Sequence, residues 1–415
     1  MTMRKTALLA TAAALVACNG GFNKPALLDQ PRILAVKAEP AEPSFNQSTT
    51  LSTLLYQPPL DRPSVAAKCP TPGATTYHWS WCPWPMSSNT QYDCPISQAE
   101  FDQIYAGLGL GAAPSLDLGT SETATFTNPF PAQRLYDLCR GDISSSLGGE
   151  SADGGAGHSI FNCDLPAEDY NTSDTRQQHP IGFKVTIKVE ITPACPGFLP
   201  AGFDPLVALY SLHLPTDDNI PVNNNPVLPG IWVTQYGEVD GGAATVDAGD
   251  IDGGVVVDAG AGVDGGVPTP DGGILLDDQA SVMVARNKHV ALRLDVSIDT
   301  AEHLAVPGTI DYDSTNNLTR HYEHLAFSWY AEAGDFTGRG EGRNTGYLPT
   351  AYPPGVDLPP QPVDDTNFEF NTANTWDLPK TADYPDGMAR IIVVVRDGRG
   401  GVDWTSKLVS LEGQP

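Results

Sequence analysis

Histidine, serine and glutamate come close enough in two short runs to suggest hydrolysis. Gly157-His158-Ser159-Ile160-Phe161 approaches the G-x-S-x-G turn that lifts a nucleophilic serine above a sheet, but Phe161 replaces the closing glycine. That turn also needs a strand before it, and Ser159 follows GGESADGGA. His321-Tyr322-Glu323-His324 holds the residue types of a zinc hydrolase, with its histidines three apart. A helical H-E-x-x-H site sets them four apart on one face. Leading into the apolar run at Leu325, this run reads as strand, which sends His321 and His324 to opposite faces. Neither run carries a hydrolase, and no catalytic residue is assigned.

A third run invites a metal. From Val239 to Gly273 the chain repeats Asp beside Gly or Ala, with no Lys, Arg or aromatic ring. Laying Asp250-Ile251-Asp252-Gly253 on positions three to six of an EF-hand loop leaves Ala248 and Ala259 where the first and twelfth ligands belong. A β-roll nonapeptide laid on GGVVVDAGA fails at Val256 and Gly260. The Asp spacings, 7, 3, 2, 6, 6 and 7, follow no period. Low hydrophobicity and like charges predict a disordered, extended spacer instead. No metal and no cofactor is expected. The Pro-rich run from Tyr347 to Asp365 predicts a second, stiffer loop.

Seven cysteines divide into one and six. Cys69, Cys82, Cys94, Cys139, Cys163 and Cys195 form an even set, and their closest pair, Cys82 and Cys94, is twelve residues apart, too far for a C-x-x-C metal knuckle. In an exported chain they predict three disulfides, with fifteen connectivities open. All six precede Pro196, which marks a domain boundary. Trp79 and Trp81 lie two apart on one strand face, with Trp84 beyond. Such rings fill a sandwich core or, if they face solvent, stack on a sugar.

Cys18 stands apart because of what precedes it. Arg4 and Lys5 lead an apolar run from Ala7 to Ala17, whose eleven residues would rise roughly 16 Å as a helix. A bilayer core of about 30 Å is out of reach, so residues 1–17 read as a signal peptide. Leu15-Val16-Ala17-Cys18 resembles the lipobox of bacterial lipoproteins. That resemblance implies cleavage before Cys18, acylation of its thiol and, with Asn19 following, sorting to the outer membrane. Two or three acyl chains anchor stably where one binds only marginally. No later apolar run spans a bilayer, so the lipid is the expected anchor.

Positioning falls to strands. Phe183, Val185, Ile187, Val189 and Ile191 share one face of GFKVTIKVEI, against Lys184, Thr186, Lys188 and Glu190. Val290, Leu292, Leu294, Val296 and Ile298 do the same in HVALRLDVSID. This period of two predicts half-buried antiparallel strands. With 37 Pro, 41 Gly and no helical period noted after the signal, the fold class is all-β. A repeated order of strand-like segments predicts two tandem sandwiches, 31–222 and 226–412, after a tether at 18–30, with 239–273 interrupting the second.

Both modules resemble bacterial immunoglobulin-like domains, and the second is similar to the polycystic-kidney-disease type. The strand Phe327-Ser328-Trp329 and the D-G-x-G-G turn from Asp397 to Gly401 carry the likeness, with Gly334-Asp335 left from the family's W-D-F-G-D-G segment. The layout as a whole resembles lipoproteins of myxobacteria.

The formal charge is −27, and from Val189 to Ala285 fourteen acidic residues meet no Lys or Arg. Such a surface repels nucleic acid and favours solubility, so a nucleic-acid partner is excluded. Arg140-Gly141-Asp142 is a triplet that a Gly- and Asp-rich chain produces by chance. The expected function is a cell-envelope lipoprotein, held by the membrane through Cys18, that acts as a structural or interaction module toward an envelope protein or polysaccharide. A carbohydrate-binding accessory role for Trp79, Trp81 and Trp84 is the alternative, and a secreted hydrolase is third.

Overall fold

The computed structural model describes residues 26–60, 63–86, 92–139, 163–164, 182–199, 205–216, 223–228, 230–238, 274–278, 282–285, 288–294, 325–336, 343–345, 374–378, 387–397 and 400–412. They form an all-β chain of two sandwiches, as the alternating segments predict.

In the first sandwich, β1 (Arg32–Glu39), β2 (Ser48–Tyr56) and β5 (Ala124–Thr127) form one sheet. It faces a second, ordered β4 (Asp117–Gly119), β3 (Thr76–Cys82), β7 (Gly182–Thr192), β6 (Cys163–Asp164), in which β8 (Leu206–Pro215) also pairs with β7. The second sandwich joins β10 (Ile274–Leu275), β9 (Ile231–Glu238), β12 (Lys288–Leu294), β16 (Asn374–Asp377) and β14 (Asp335–Phe336) into one sheet. The other is β11 (Met283–Ala285), β18 (Val402–Glu412), β17 (Met388–Arg396), β13 (Ala326–Ala331) and β15 (Arg343–Thr345). Of the face expected in HVALRLDVSID, Val290, Leu292 and Leu294 share the second core with Phe327 and Trp329, whereas Val296 and Ile298 lie outside the described residues.

Three short helices interrupt the first sandwich: α1 (Pro63–Lys68), α2 (Gln98–Gly107) and α3 (Ala132–Cys139). The reading without helices overlooks α2. Ser97 and Glu100 form a capping box, the Ser97 hydroxyl accepting from the Glu100 N–H at 3.3 Å and Glu100 Oε2 accepting from the Ser97 N–H at 2.7 Å. Two orphan donors of the first turn are thereby satisfied, and Phe101 and Tyr105 on the inner face reach the core.

The face of β7 expected in solvent is largely covered. Thr186 and Lys188 are buried, because the chain after β3, closed by the Cys82–Cys94 disulfide, folds over them. Thr186 donates to the Trp84 carbonyl at 3.3 Å, and Lys188 Nζ meets Asp93 at 2.9 Å and Glu190 at 3.0 Å. Burial alone would lower the Lys188 pKa, but these two carboxylates outweigh it and raise it.

The chain's N-terminal stretch is not a free tether throughout 18–30. The Ala331 N–H donates to the Ala26 carbonyl at 3.0 Å and the Leu28 N–H to the Ala331 carbonyl at 2.8 Å, a parallel bridge that adds a short strap at the end of β13. Ala26 is buried in the second core and Leu28 in the first.

Candidate functional site

Trp79 and Trp81 are 0% and 1% exposed. Strand β3 is paired on both sides, by β4 and β7, and its inward face meets α2 and the β1-β2-β5 sheet. Both rings therefore enter the core. Trp81 packs edge-on against Phe101 at 5.4 Å and Phe126 at 5.1 Å, geometry that favours aromatic pairs. The indole N–H groups donate to the carbonyls of Ser121 and Ser115, at 3.0 and 2.8 Å. Trp84 is half-buried against the same core. The sugar-stacking platform is thus corrected: two of its three rings fill the sandwich, and the carbohydrate-binding reading loses its basis.

Four of the six cysteines are paired, Cys69 with Cys195 and Cys82 with Cys94. The Cys139 and Cys163 side chains lie outside the described residues, as do Cys18, Arg140 to Asp142, His158, Ser159, His321 to His324, the Asp-rich run 239–273 and the Pro-rich run from Tyr347. Among the described residues no group of three His, Cys, Asp or Glu gathers for a metal, and no helix is long and apolar enough to cross a membrane.

What the structure does assemble is a seam between the two sandwiches. Ile391, Val393 and Val395 of β17 point into the second core, whereas Ile392 and Val394 join Val402 in the first. A strand buried on both faces needs apolar residues at both parities, and IIVVV supplies them. That run was the signal from which the seam could have been read.

Polar groups lace the seam along its length. Lys37 Nζ of β1 meets Asp403 of β18 at 3.1 Å, and Tyr56 donates to the buried Glu332 at 2.9 Å. The Arg396 guanidinium donates to the Leu34 carbonyl at 2.6 Å and the Ser328 hydroxyl at 3.2 Å. Asn225 donates to the Ala38 carbonyl at 2.7 Å and accepts from the Val402 N–H at 2.8 Å. Asn223 donates its backbone N–H to Glu42 at 2.7 Å and its amide to Asp397 Oδ2 at 3.1 Å.

At one end of the seam the β17–β18 turn meets β8. The Asp397 N–H donates to the Gly401 carbonyl at 3.0 Å, and Asp397 Oδ1 accepts from the Gly401 N–H at 2.7 Å, the hairpin that D-G-x-G-G predicts. Gly400 has φ +102°, and a Cβ there would lie 3.2 Å from both the Ser211 carbonyl and the His213 ring. Only glycine suits that φ without cost. Burial, and next the Asp397 carboxylate, push the Tyr210 hydroxyl well above the usual tyrosine range.

A cleft of about 490 Å³ opens here, walled by β1, β8 and the turn. Ser211, His213 and Asp397 all line it, the residue types of an acyl hydrolase. Ser211 and His213, however, are two residues apart on one strand, roughly 7 Å of rise. No hydrogen bond among the described residues joins the Ser211 hydroxyl to the His213 ring, and the Asp397 oxygens accept from Gly401 and Asn223. The nucleophile–base contact that defines a triad is not formed.

No family model and no curated protein sequence matches the chain. Among solved structures it is similar to murine CEACAM1b, at 10% identity over 91% of this chain and 100% of that one, with a TM-score of 0.16. It is similar also to a mutant Salmonella alpha-2-macroglobulin, at 8% identity over 92% and 17% with a TM-score of 0.16. A third is the three N-terminal domains of the bacteriophage RB49 outer capsid protein Hoc, at 9% identity over 93% and 99% with a TM-score of 0.13. At such scores these alignments support no inference about this chain.

Proposed function

We propose that this chain is a lipid-anchored cell-envelope protein of the outer membrane whose two sandwiches act as one rigid structural or interaction module. The observation that carries the reading is the strap. Cys18, at the end of a lipobox-like segment, precedes by eight residues the Ala26–Leu28 stretch that is bonded to Ala331 and buried in both cores. Eight residues reach at most about 29 Å, so an acylated Cys18 would hold the body close to the bilayer. Repulsion between the acidic chain and anionic headgroups would keep it from lying flat there.

A Cys18→Ser variant tests the anchor. It should lose metabolic lipid labelling and leave the membrane fraction while still unfolding in one cooperative transition. Retention of the folded Ser variant in the membrane fraction would overturn the reading.

A further inference from the structure

The cleft beside Tyr210 holds an arginine in a chain that is strongly acidic as a whole. Arg396 lines it, half-buried, with its guanidinium plane fixed by the Leu34 carbonyl and the Ser328 hydroxyl. It forms no ion pair with a carboxylate among the described residues, although the chain has 50 acidic and only 23 basic side chains, and Lys37, Lys188 and Lys407 all have carboxylate partners. Asp397 is next to it in sequence and also lines the cleft, but its two oxygens accept from the Gly401 N–H and the Asn223 amide, and it makes no ion pair with Arg396.

A guanidinium has five N–H donors in a planar fork that matches a carboxylate. Two atoms of the Arg396 fork are engaged by the seam, which holds the group rigid before any ligand arrives. Lys184, the cross-strand partner of His213, also lines the cleft, where it is engaged by a neighbour of its own. The rest of the lining includes Ile33, Val36, Ala208 and Leu209, so an apolar body would find apolar walls. A single charge also suits the site better than a dianion, because the chain's own field opposes each further negative charge.

We propose that this cleft binds a small monoanionic carboxylate with an apolar body, its carboxylate on Arg396 and its body against Ile33, Val36 and Ala208. The site does not depend on the lipid anchor. It would give the module a ligand of its own.

The test is calorimetric titration of the full mature protein with octanoate, with octanamide as the uncharged probe and inorganic phosphate as the bare anion. Octanoate should bind saturably at one site, and octanamide and phosphate each about tenfold more weakly or worse, the worth of one charge-assisted bond or of the buried chain. Arg396→Gln should cost about tenfold in octanoate affinity, while Arg390→Gln, on the same strand but bonded to Ser406, should change nothing. Ligand-free melting of each variant separates a loosened seam from a lost contact. Equal binding of octanamide, tighter binding of phosphate, absence of saturable octanoate binding, or parent affinity in Arg396→Gln would each overturn the assignment.

Discussion

The Tyr210 hydroxyl donates a 2.6 Å hydrogen bond to the Gly400 carbonyl, tying the edge strand of the first sandwich to the hairpin turn of the second. Tyr210→Phe should cost about 1 kcal/mol, the net worth of one such bond, measured by urea unfolding at pH 8. The pH dependence has a definite sign. Burial and the Asp397 carboxylate raise the folded pKa, so the native state retains a proton that the unfolded tyrosine releases near pH 10. The stabilisation is fully present below about pH 10 and declines as pH rises toward the folded value. In Tyr210→Phe that decline should be shallower; an identical slope above pH 10 in both proteins would contradict the linkage.

Strand β17 is shared, so damage on either face should destabilise one common transition. Ile392 belongs to the second sandwich by sequence and to the first core by packing, and Ile391 faces the other way. Ile392→Ala and Ile391→Ala should each cost roughly 2–4 kcal/mol, with tryptophan fluorescence and circular dichroism losing signal together. Two separate transitions in either variant would show that the sandwiches fold apart.

The two disulfides should differ in worth. Cys69–Cys195 closes 126 residues and Cys82–Cys94 closes 12. Loop-closure entropy in the unfolded chain then gives about 5 kcal/mol for the first and about 3 kcal/mol for the second. Replacing both cysteines of the long loop by serine should lower the urea midpoint more than replacing both of the short loop. The reverse order would place the dominant role of Cys82–Cys94 in holding the covering segment over Thr186 and Lys188.

Most of the strand set could be read from period two, and the seam could not be read that way. Alternation in GFKVTIKVEI identifies the core face of β7 but does not show that a disulfide-closed loop buries Thr186 and Lys188 on the other. Spacing puts Trp79 and Trp81 on one face without saying which side of the sheet is solvent. Ser97 and Glu100 spell a capping box, a helix start that a search for period two passes over. The seam depends on pairs such as Lys37 with Asp403, 366 residues apart, for which no local pattern exists. Gly334 stands in the sequence as half of a Gly-Asp pair whose backbone conformation no local pattern discloses. Its φ of +76° and the 2.5 Å approach of a would-be Cβ to the Asp377 carbonyl explain why glycine stands there.

The Asp-rich run 239–273 links two strands that pair with each other, which sets the terms for removing it. Ile274 of β10 is opposite Val233 of β9, and Leu275 is opposite Trp232, while β9 continues to Glu238 beside Lys288. Five residues of strand, roughly 17 Å, separate the level of Glu238 from that of Ile274. Joining Glu238 directly to Ile274 would therefore tear the end of β9 from β12. Replacing the run with about six Gly and Ser residues spans the return at roughly 3.4 Å each. The shorter loop also lowers closure entropy by about (3/2)RT ln(35/6), near 1.6 kcal/mol. The six-residue variant should melt at or slightly above the parent temperature, and millimolar calcium should move neither. Calcium bound to the native state alone would raise the parent's melting temperature. A saturable rise confined to the parent would make the run a cation site and end its reading as a spacer.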